Sequence, residues 1–445
     1  MTDRNFRTAW LAALGAIMVV PALLWLATAP DEPTWSRLSV LTGLFALSAM
    51  VCAAVLPSRL RSVNRAFGIE GVIEVHRFLG VGAAVLVMLH LACVVAADPS
   101  AVALLDVPTA PHRAQAAVAA TTALGALVVS ALMRRHLRLS YEFWRWTHIG
   151  LGSAAVLFSA LHVWWLDHVV QQAAMLVTLT VLVLVLLAVA AYRWVWRGLL
   201  DPSTEFMVME VRAESPTVST VVLGPRRRRR HSHASAAADW AFAPGQFAWI
   251  RLRRSPAAEE HPFTIASSAH LDHTEFTVRH TGDFTRALRT LRPGSPVWVD
   301  GPHGAFTSDI GVCDGFVLIA GGVGITPMMS MLRTAADRGD PRPYRLVVVA
   351  GSPEDLLFRE ELGFLCHSLD LEVTELLRRP PDGWEGHTGD LGVSLFAMVL
   401  GTVERPEALD YFLCGPPGLV DDALDVLDVM DVPASRIHTE LFDFV

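Results

Sequence analysis

The chain has 445 residues, 52% of them hydrophobic, and a formal net charge of −8 at pH 7. The negative charge excludes an overall basic signature for nucleic acid, and the hydrophobic fraction, high for a soluble protein, favours membrane spans. The five cysteines are scattered with no C-x-x-C spacing, so the sequence supports neither a zinc site nor an iron–sulfur cluster.

Long apolar runs are concentrated in residues 1–199, whereas residues 200–445 have the composition of an ordinary globular sequence. A helix needs about 20 apolar residues to cross a bilayer. Six segments meet this requirement: Thr8–Ala29, Leu38–Leu56, Val75–Ala97, Ala114–Met133, Trp146–Leu166 and Val169–Tyr192. We expect an integral protein of the plasma membrane, surrounded by the lipid bilayer, with no cleavable signal peptide.

The charge of the connecting loops predicts the orientation of these spans. Basic residues precede the first span, follow the sixth, and lie between spans two and three and between spans four and five. The other loops are mainly acidic, with Arg37 and Arg113 as their basic residues. Because basic loops stay in the cytoplasm, both termini are predicted to be cytoplasmic.

Four histidines lie inside the predicted spans, His76 and His90 on the third and His148 and His162 on the fifth. Fourteen residues separate the members of each pair, which is nearly four helical turns and roughly 21 Å, so both project from almost the same helix face. The two spans run in the same direction, so His76 can face His148 and His90 can face His162. This arrangement suits two stacked b-type haems, each iron held by two imidazoles.

Other roles for intramembrane histidines are a structural hydrogen bond, a proton relay or a metal transport path. None of these accounts for the same fourteen-residue spacing on two helices that point the same way. Glycines on the same helices would let a flat macrocycle approach the backbone; they are Gly80, Gly82, Gly150 and Gly152.

The second half contains two kinds of pattern. Residues 200–307 hold short, regularly spaced β-rich runs, which predict a small barrel. Further on, the apolar run Phe316–Ala320 leads directly into a glycine turn, residues 321–324, and a helix, the geometry that cradles a pyrophosphate. A later strand, Tyr411–Cys414, ends in Gly415-Pro416-Pro417-Gly418, so several strand ends converge on one crevice.

The segments HPFTIASS (261–268), GGVGITPMMSML (321–332), CGPPG (414–418) and HTELF (438–442) resemble the ferredoxin-NADP reductase family of flavoproteins. Joined to six spans with two H-x13-H pairs, the whole chain resembles the ferric reductase / NADPH oxidase superfamily. The resemblance implies a six-helix di-haem transmembrane domain over residues 1–199, an FAD-binding β-barrel over 200–307, and an NAD(P)H-binding α/β domain over 308–445.

The resemblance also assigns roles to individual residues. It implies that FAD is bound by His261, Pro262, Phe263, Thr264, Ser267, Gly282, Thr285, Gly301 and Gly304. It implies that the nicotinamide nucleotide is bound by Gly321, Gly322, Gly324, Thr326, Pro327, Gly415 and Pro416. Cys414, beside the nicotinamide, and Phe442, covering the flavin, are the catalytic candidates. A plain turn at Gly304 and a plain buried strand end at Cys414 are the alternatives.

The implied activity is electron transfer from cytoplasmic NADPH or NADH, through FAD and two haems, to ferric chelate or to dioxygen, giving superoxide, on the outer face. NADP-preferring members often have an arginine after the second nucleotide strand, and here that position reads Ala350-Gly351-Ser352-Pro353, so NADH is equally compatible. The alternative function is electron donation to a separate partner enzyme. The basic run Arg226–Arg230 is either a solvated loop or a patch for anionic lipid headgroups.

Overall fold

A computed structural model describes residues 3–28, 33–134, 136–166, 170–226, 240–309, 312–401 and 405–442. The chain divides into two compact units, the first covering residues 1–198 and the second residues 199–445. Of the basic run Arg226–Arg230, only Arg226 is among the described residues, where it pairs with Glu205.

The first unit is a bundle of long apolar helices. Within the described residues, six helices are long and apolar enough to cross a membrane, which confirms the expected six-helix architecture. The helices are α1 (Asp3–Thr28), α2 (Thr34–Val55), α3 (Arg61–Ala97), α4 (His112–Leu132), α5 (Tyr141–Trp164) and α6 (Ala173–Ala190). A π-helical segment, Ala191–Leu200, continues α6.

Helix α3 packs mainly against α2, and α5 packs mainly against α4. Midway between the histidines of each helix, seven residues from either, lie Ala83 on α3 and Ala155 on α5, both fully buried. The two alanines belong to one apolar cluster that also contains Met50 of α2 and Leu124 of α4. Small residues permit the close helix approach that packing inside a membrane requires. The four helices therefore pack together halfway between the two levels of histidines.

The second unit begins with an antiparallel barrel. Its strands are β1 (Glu205–Ser215), β2 (Val218–Pro225), β3 (Phe247–Arg251), β4 (Glu260–Thr264), β5 (Thr274–Arg279) and β6 (Pro296–His303), with the short helix α7 (Asp283–Arg289) before β6. The strand order is β4-β3-β6-β1-β2-β5, and a bridge between Ile265 and Phe276 joins the two ends. Phe206, Ile250 and Phe276 fill the interior. The HPFT motif is itself a strand, β4, which the sequence patterns did not predict.

A parallel six-stranded sheet follows, in the order β10-β9-β8-β7-β11-β12. Its strands are β7 (Phe316–Gly321), β8 (Tyr344–Ala350), β9 (Leu371–Leu377), β10 (His387–Thr388), β11 (Asp410–Gly415) and β12 (Ile437–Leu441). Its helices are α8 (Ile325–Arg338), α9 (Arg359–Ser368), α10 (Val393–Leu400) and α11 (Pro417–Val429). Apolar clusters cover both faces of the sheet, as the continuous hydrophobic runs of its strands require.

The barrel and the parallel sheet meet along α8. Ser330 donates a hydrogen bond to the carbonyl of Ser267 at 2.9 Å. The Arg333 guanidinium contacts Glu275 of the barrel at 3.1 Å and Glu361 of α9 at 2.6 Å. These contacts bring the carboxyl ends of β7 and β11 to the side of the barrel that carries β5.

Candidate functional site

The structure brings the four intramembrane histidines together in two facing pairs. The ring centres of His76 and His148 are 6.0 Å apart, and those of His90 and His162 are 6.4 Å apart. We call them the 76/148 pair and the 90/162 pair. Both histidines of a helix project to the same neighbouring helix, because fourteen residues of regular α-helix return the side chain to nearly the same direction.

Backbone carbonyls orient three of the four rings. Nδ1 of His76 lies 2.8 Å from the carbonyl oxygen of Ala53, and Nδ1 of His90 lies 2.7 Å from that of Ser39, both on α2. Nδ1 of His162 lies 2.8 Å from the carbonyl oxygen of Arg113 on α4. A carbonyl can only accept, so in each ring Nδ1 carries the proton and Nε2 keeps its lone pair for a metal.

The residue types around these rings favour a haem over a bare metal ion. Structural zinc takes four protein ligands and catalytic zinc takes three, but in the described part of the chain no three His, Cys, Asp or Glu side chains converge on one point. Two metal–imidazole bonds of about 2 Å each, plus the distance from each nitrogen to its ring centre, give a separation of about 6 Å between ring centres. The observed separations therefore fit one iron between two imidazoles, with a macrocycle supplying the other ligands.

The four glycines noted on α3 and α5 differ in what surrounds them. A Cβ built on Gly80, Gly82 or Gly150 would have no atom within 4 Å, so these three glycines border open space. Gly152 is different, because its Cβ would lie 3.2 Å from Leu127 of α4. Three of the four glycines noted in the sequence thus border open space, and of these Gly80 lies one turn after His76, on nearly the same side of α3. The fourth, Gly152, packs against α4.

Two of the residues assigned to FAD, His261 and Phe263 of β4, contact helix α7. The ring of Phe284 packs against His261, with 4.5 Å between ring centres, and stacks on Phe263 at 6.1 Å. In the described residues, Oγ1 of Thr264 is buried and has no hydrogen-bond partner. An unpaired buried hydroxyl inside the HPFT motif fits a polar ligand such as the flavin.

Helix α7 begins beside this motif. Gly282 caps the helix, and its amide donates to the hydroxyl of Thr285 at 3.0 Å. His280 precedes it, and burial together with the nearby Arg289 lowers the pKa of His280, so its ring is neutral at pH 7. Neither ring nitrogen of His280 has a hydrogen-bond partner in the described ranges. His280 is therefore a candidate FAD contact that the sequence motifs did not identify.

Three other residues assigned to FAD have structural contacts of their own. Ser267 is fully buried, and its hydroxyl accepts from the amide of Glu275 at 3.2 Å. A Cβ on Gly301 would lie 2.7 Å from that of Ala248, and Gly304 has a φ of +106°. Packing and backbone conformation account for these glycines without a ligand, and their assignment to FAD stays a prediction.

The nucleotide motifs meet at the carboxyl edge of the parallel sheet. Gly321 packs against Pro416, and Gly324 packs against the carbonyl of Cys414, with no room for a Cβ at either glycine. Gly415 also contacts Gly321. These glycines thus let two turns of the protein pack together. Of the motif glycines, Gly322 has the positive φ, +56°, so it is the position where the turn itself requires glycine.

The remaining predicted residues lie around this edge. Thr326 and Pro327 form the first turn of α8, where the hydroxyl of Thr326 donates to the carbonyl of Val323. Cys414 is buried and pairs with Glu440 in the register of β11 and β12. Phe442 follows β12 directly and is 36% exposed. The two catalytic candidates therefore lie at the ends of adjacent strands.

Two arginines at this edge were not identified from the motifs. Arg279, at the end of β5, pairs with Asp355 at 3.1 Å, and its guanidinium lies 3.3 Å from where a Cβ of Gly322 would be. Arg379, after β9, approaches the turn after β8, with Nη2 3.2 Å from the corresponding position on Gly351. Both are far in sequence from the glycines they approach, so only the fold brings them there.

Three family models match the chain in order. The ferric reductase like transmembrane component matches residues 42–159, the FAD-binding domain matches residues 229–306, and the oxidoreductase NAD-binding domain matches residues 318–425. The chain has the ferric reductase / NADPH oxidase-type architecture. This domain composition supports a transmembrane NAD(P)H oxidoreductase.

Curated relatives match its second unit. The propane 2-monooxygenase reductase component of Mycolicibacterium goodii is 31% identical over 211 residues, covering 45% of this chain and 59% of that protein. NADH-cytochrome b5 reductase 1 of Pyricularia oryzae is 30% identical over 173 residues, covering 37% and 55%. The chain thus spans somewhat more than half of the length of these relatives.

Among solved structures, the FAD/NAD-binding domain of nitric oxide dioxygenase from Vibrio cholerae O1 biovar El Tor is similar, with 23% identity and a TM-score of 0.45. The match covers 54% of this chain and 98% of that one.

Proposed function

We propose that this protein passes electrons from cytoplasmic NADH or NADPH, through FAD and two b-type haems, to an acceptor on the outer face of the plasma membrane, with both termini cytoplasmic. The observation that carries the proposal is the pair of facing histidines repeated at two levels of α3 and α5. A path that stayed on one side of the membrane would have no use for the second level.

Each histidine has a defined task in this proposal. Nε2 of each ring would bind iron, because Nδ1 of His76, His90 and His162 is held by a backbone carbonyl. Such a bond fixes the tautomer and the direction of the ring and makes the imidazole a stronger donor. Gly80 lies one turn after His76 and borders open space, so it would leave room for a macrocycle at the 76/148 pair.

The cofactors supply the conversion of one hydride into two single electrons and a relay for those electrons. The chain positions them. The buried hydroxyl of Thr264 and the neutral ring of His280 offer hydrogen bonds at the FAD site. The guanidinium of Arg279 adds positive charge beside the turn at Gly322, where the nucleotide phosphates would lie.

The acceptor is ferric chelate or dioxygen, and the residues on the outer side favour neither. If the two histidines of the 90/162 pair held one iron, they would leave no position on it for an acceptor, which would then receive electrons without binding to the iron. Arg37 and Arg113 are the basic residues predicted there, and either would attract an anionic acceptor or pair with a haem propionate. Nε of Arg37 is buried without a hydrogen-bond partner among the described residues, which fits a propionate.

The competing function is electron donation to a separate enzyme. The likeness of the second unit to a reductase component of a propane monooxygenase favours it. The 90/162 pair weighs against it, because delivery to a cytoplasmic partner would need no second level of histidines.

The test is anaerobic addition of NADH or NADPH to the purified full chain while the flavin and haem bands are followed. We expect the flavin band to bleach and reduced b-type haem bands to form. Ferric chelate or oxygen is then added, with cytochrome c and superoxide dismutase to detect superoxide. An absence of haem bands from the purified protein would refute the proposal.

A variant and its control test whether electrons pass through the 90/162 pair. His90→Ala should keep flavin reduction by the nucleotide but abolish reduction of the external acceptor, because the 90/162 pair is lost. His112→Ala is the control, since His112 begins α4 and contacts Trp165 and Gln115, not a histidine of either pair. Normal acceptor reduction by His90→Ala, together with normal haem content, would contradict the assignment of the outer site.

A further inference from the structure

The carbonyls that orient the histidines have the same spacing along their helix as the histidines have along theirs. Ser39 and Ala53 on α2 are fourteen residues apart, as are their partners His90 and His76 on α3. Helices α4 and α5 are likewise antiparallel neighbours, and there the carbonyl of Arg113 accepts from His162. Fourteen residues after Arg113 is Leu127, so the same register predicts the carbonyl of Leu127 as the acceptor for His148.

The structure shows a different arrangement at that position. Leu127 does lie at the level of His148, because its Cδ1 is 3.2 Å from where a Cβ of Gly152 would be, one turn after His148. However, the carbonyl of Leu127 accepts from the hydroxyl of Ser130 at 2.9 Å. Nδ1 of His148 is buried and, within the described residues, has no hydrogen-bond partner. Its ring packs on Trp144, with 5.2 Å between ring centres.

A hydroxyl also lies within hydrogen-bond distance of the acceptor of His90, but a nearer carbonyl competes for its proton. Thr42 is 2.7 Å from the carbonyl of Leu38 and 3.0 Å from that of Ser39. A hydroxyl has one proton to donate, and the shorter distance directs it to Leu38, leaving the carbonyl of Ser39 to His90. The carbonyl of Ala53 is free for a separate reason, because residue 57, which would donate to it in the helix, is proline.

We propose that the two haem sites are ligated unequally and that the 76/148 site has the higher midpoint potential. This inference rests on the proposed function. A carbonyl that accepts from Nδ1 makes the imidazole a stronger donor to iron. A stronger donor stabilises the oxidised iron more than the reduced iron, which lowers the potential. The 90/162 site has two such imidazoles, whereas the 76/148 site has one.

Unequal potentials would determine which site holds a single electron. Each site takes up one electron on reduction, so a protein that has received a single electron holds it mainly at the site of higher potential. That site would be the 76/148 pair, which the loop charges predict to be on the cytoplasmic side. Transfer onward to the 90/162 pair is then the uphill step, and removal of the electron by the acceptor draws it forward.

The order of the potentials is measured by anaerobic redox titration of the purified full chain, followed by the haem absorption bands. His90→Ala retains the 76/148 site, and His76→Ala retains the 90/162 site. We expect two midpoints in the unsubstituted protein, with the higher one retained in His90→Ala. A single common midpoint, or the opposite order, would overturn the inference while leaving the proposed function intact. A protein that binds no haem would instead refute the proposed function, and the inference with it.

A second variant tests the cause without removing a ligand. Ser130→Ala frees the carbonyl of Leu127 for Nδ1 of His148, so the higher midpoint should fall toward the lower one, which stays unchanged. Thr122→Ala is the matched control: Thr122 also lies on α4 and donates to a helix carbonyl, that of Val118, at 2.8 Å. In the register of α4 and α5, Val118 lies opposite Leu157 rather than a histidine, so neither midpoint should move. No shift in Ser130→Ala, or a shift of the lower midpoint, would overturn the proposal.

Discussion

The two units hold their functional groups by different means. In the first unit, carbonyls of neighbouring helices orient three of the four paired histidines. In the second unit, glycines of the nucleotide motifs pack against the protein's own backbone, and buried ion pairs join the barrel to the parallel sheet. In a bilayer no water is available to satisfy polar groups, so backbone carbonyls become the acceptors for polar side chains.

Motif residues of the same type therefore have different roles in the two units. The glycines of α3 border open space, whereas Gly321 and Gly324 border the chain itself. The glycines of α3 have no neighbouring atom at the Cβ position, whereas those of the nucleotide motifs leave room for a neighbouring turn. Three substitutions test how each unit holds its functional groups, beginning with the largest expected effect.

Arg333→Ala should destabilise the second unit by about 3 kcal/mol, because removing one partner of a buried ion network leaves charge uncompensated. Arg333 contacts Glu275, which is 6% exposed, and also donates to the carbonyl of Ala266 at 2.6 Å. Thermal unfolding with flavin release as the signal measures the change. Arg359→Ala is the control, since Arg359 forms a more exposed pair with Glu375 and should cost about 1 kcal/mol or less. Equal losses in the two variants would show that the network contributes no more than a surface pair.

Gly43→Ala should disturb the 90/162 pair by forcing the ring of His90 to move. A Cβ at residue 43 would lie 3.1 Å from Nδ1 of His90, closer than ordinary packing permits. Such overpacking costs about 1–3 kcal/mol, so we expect weaker haem retention at this site and a changed low-spin electron paramagnetic resonance signal. Gly125→Ala, on α4 with no atom within 4 Å of a new Cβ, is the control. Unchanged haem content and spectrum in Gly43→Ala would show that α2 does not constrain His90.

Arg379→Ala should weaken NADP⁺ binding about tenfold, equivalent to about 1.4 kcal/mol, and leave NAD⁺ binding unchanged. The reason is that Arg379 reaches the turn after β8. The residues of this turn include no arginine of their own, and Arg379 can bind a 2′-phosphate there. Flavin absorbance changes on titration with each nucleotide measure the two affinities.

The adjacent Arg378 is the control for this substitution, because it contacts Asp390 at 3.5 Å and Asp422 at 3.3 Å. Arg378→Ala should affect both nucleotides alike or neither. If Arg379→Ala lowered NAD⁺ and NADP⁺ affinity equally, Arg379 would have no part in choosing between them.

Much of the architecture was predictable because its signals are local. Apolar length predicted the six spans, and the described residues contain six helices long and apolar enough to cross a membrane. The apolar run Phe316–Ala320 correctly predicted a strand, which the structure extends to Gly321, and the glycine turn correctly predicted the helix that follows it. Strand β4 was missed because the HPFT segment contains a proline and no alternating pattern.

The sequence by itself determined that two helices each present two histidines on one face, fourteen residues apart, because helical periodicity depends on residues of one helix at a time. Only the tertiary structure decided that the histidines of the two helices face each other in pairs. It also decided which carbonyl orients each ring, and that His148 has none among the described residues. Those bonds depend on the register between helices far apart in sequence. The same holds for Arg279 and Arg379, whose positions depend on how separate strands end at one edge of a sheet.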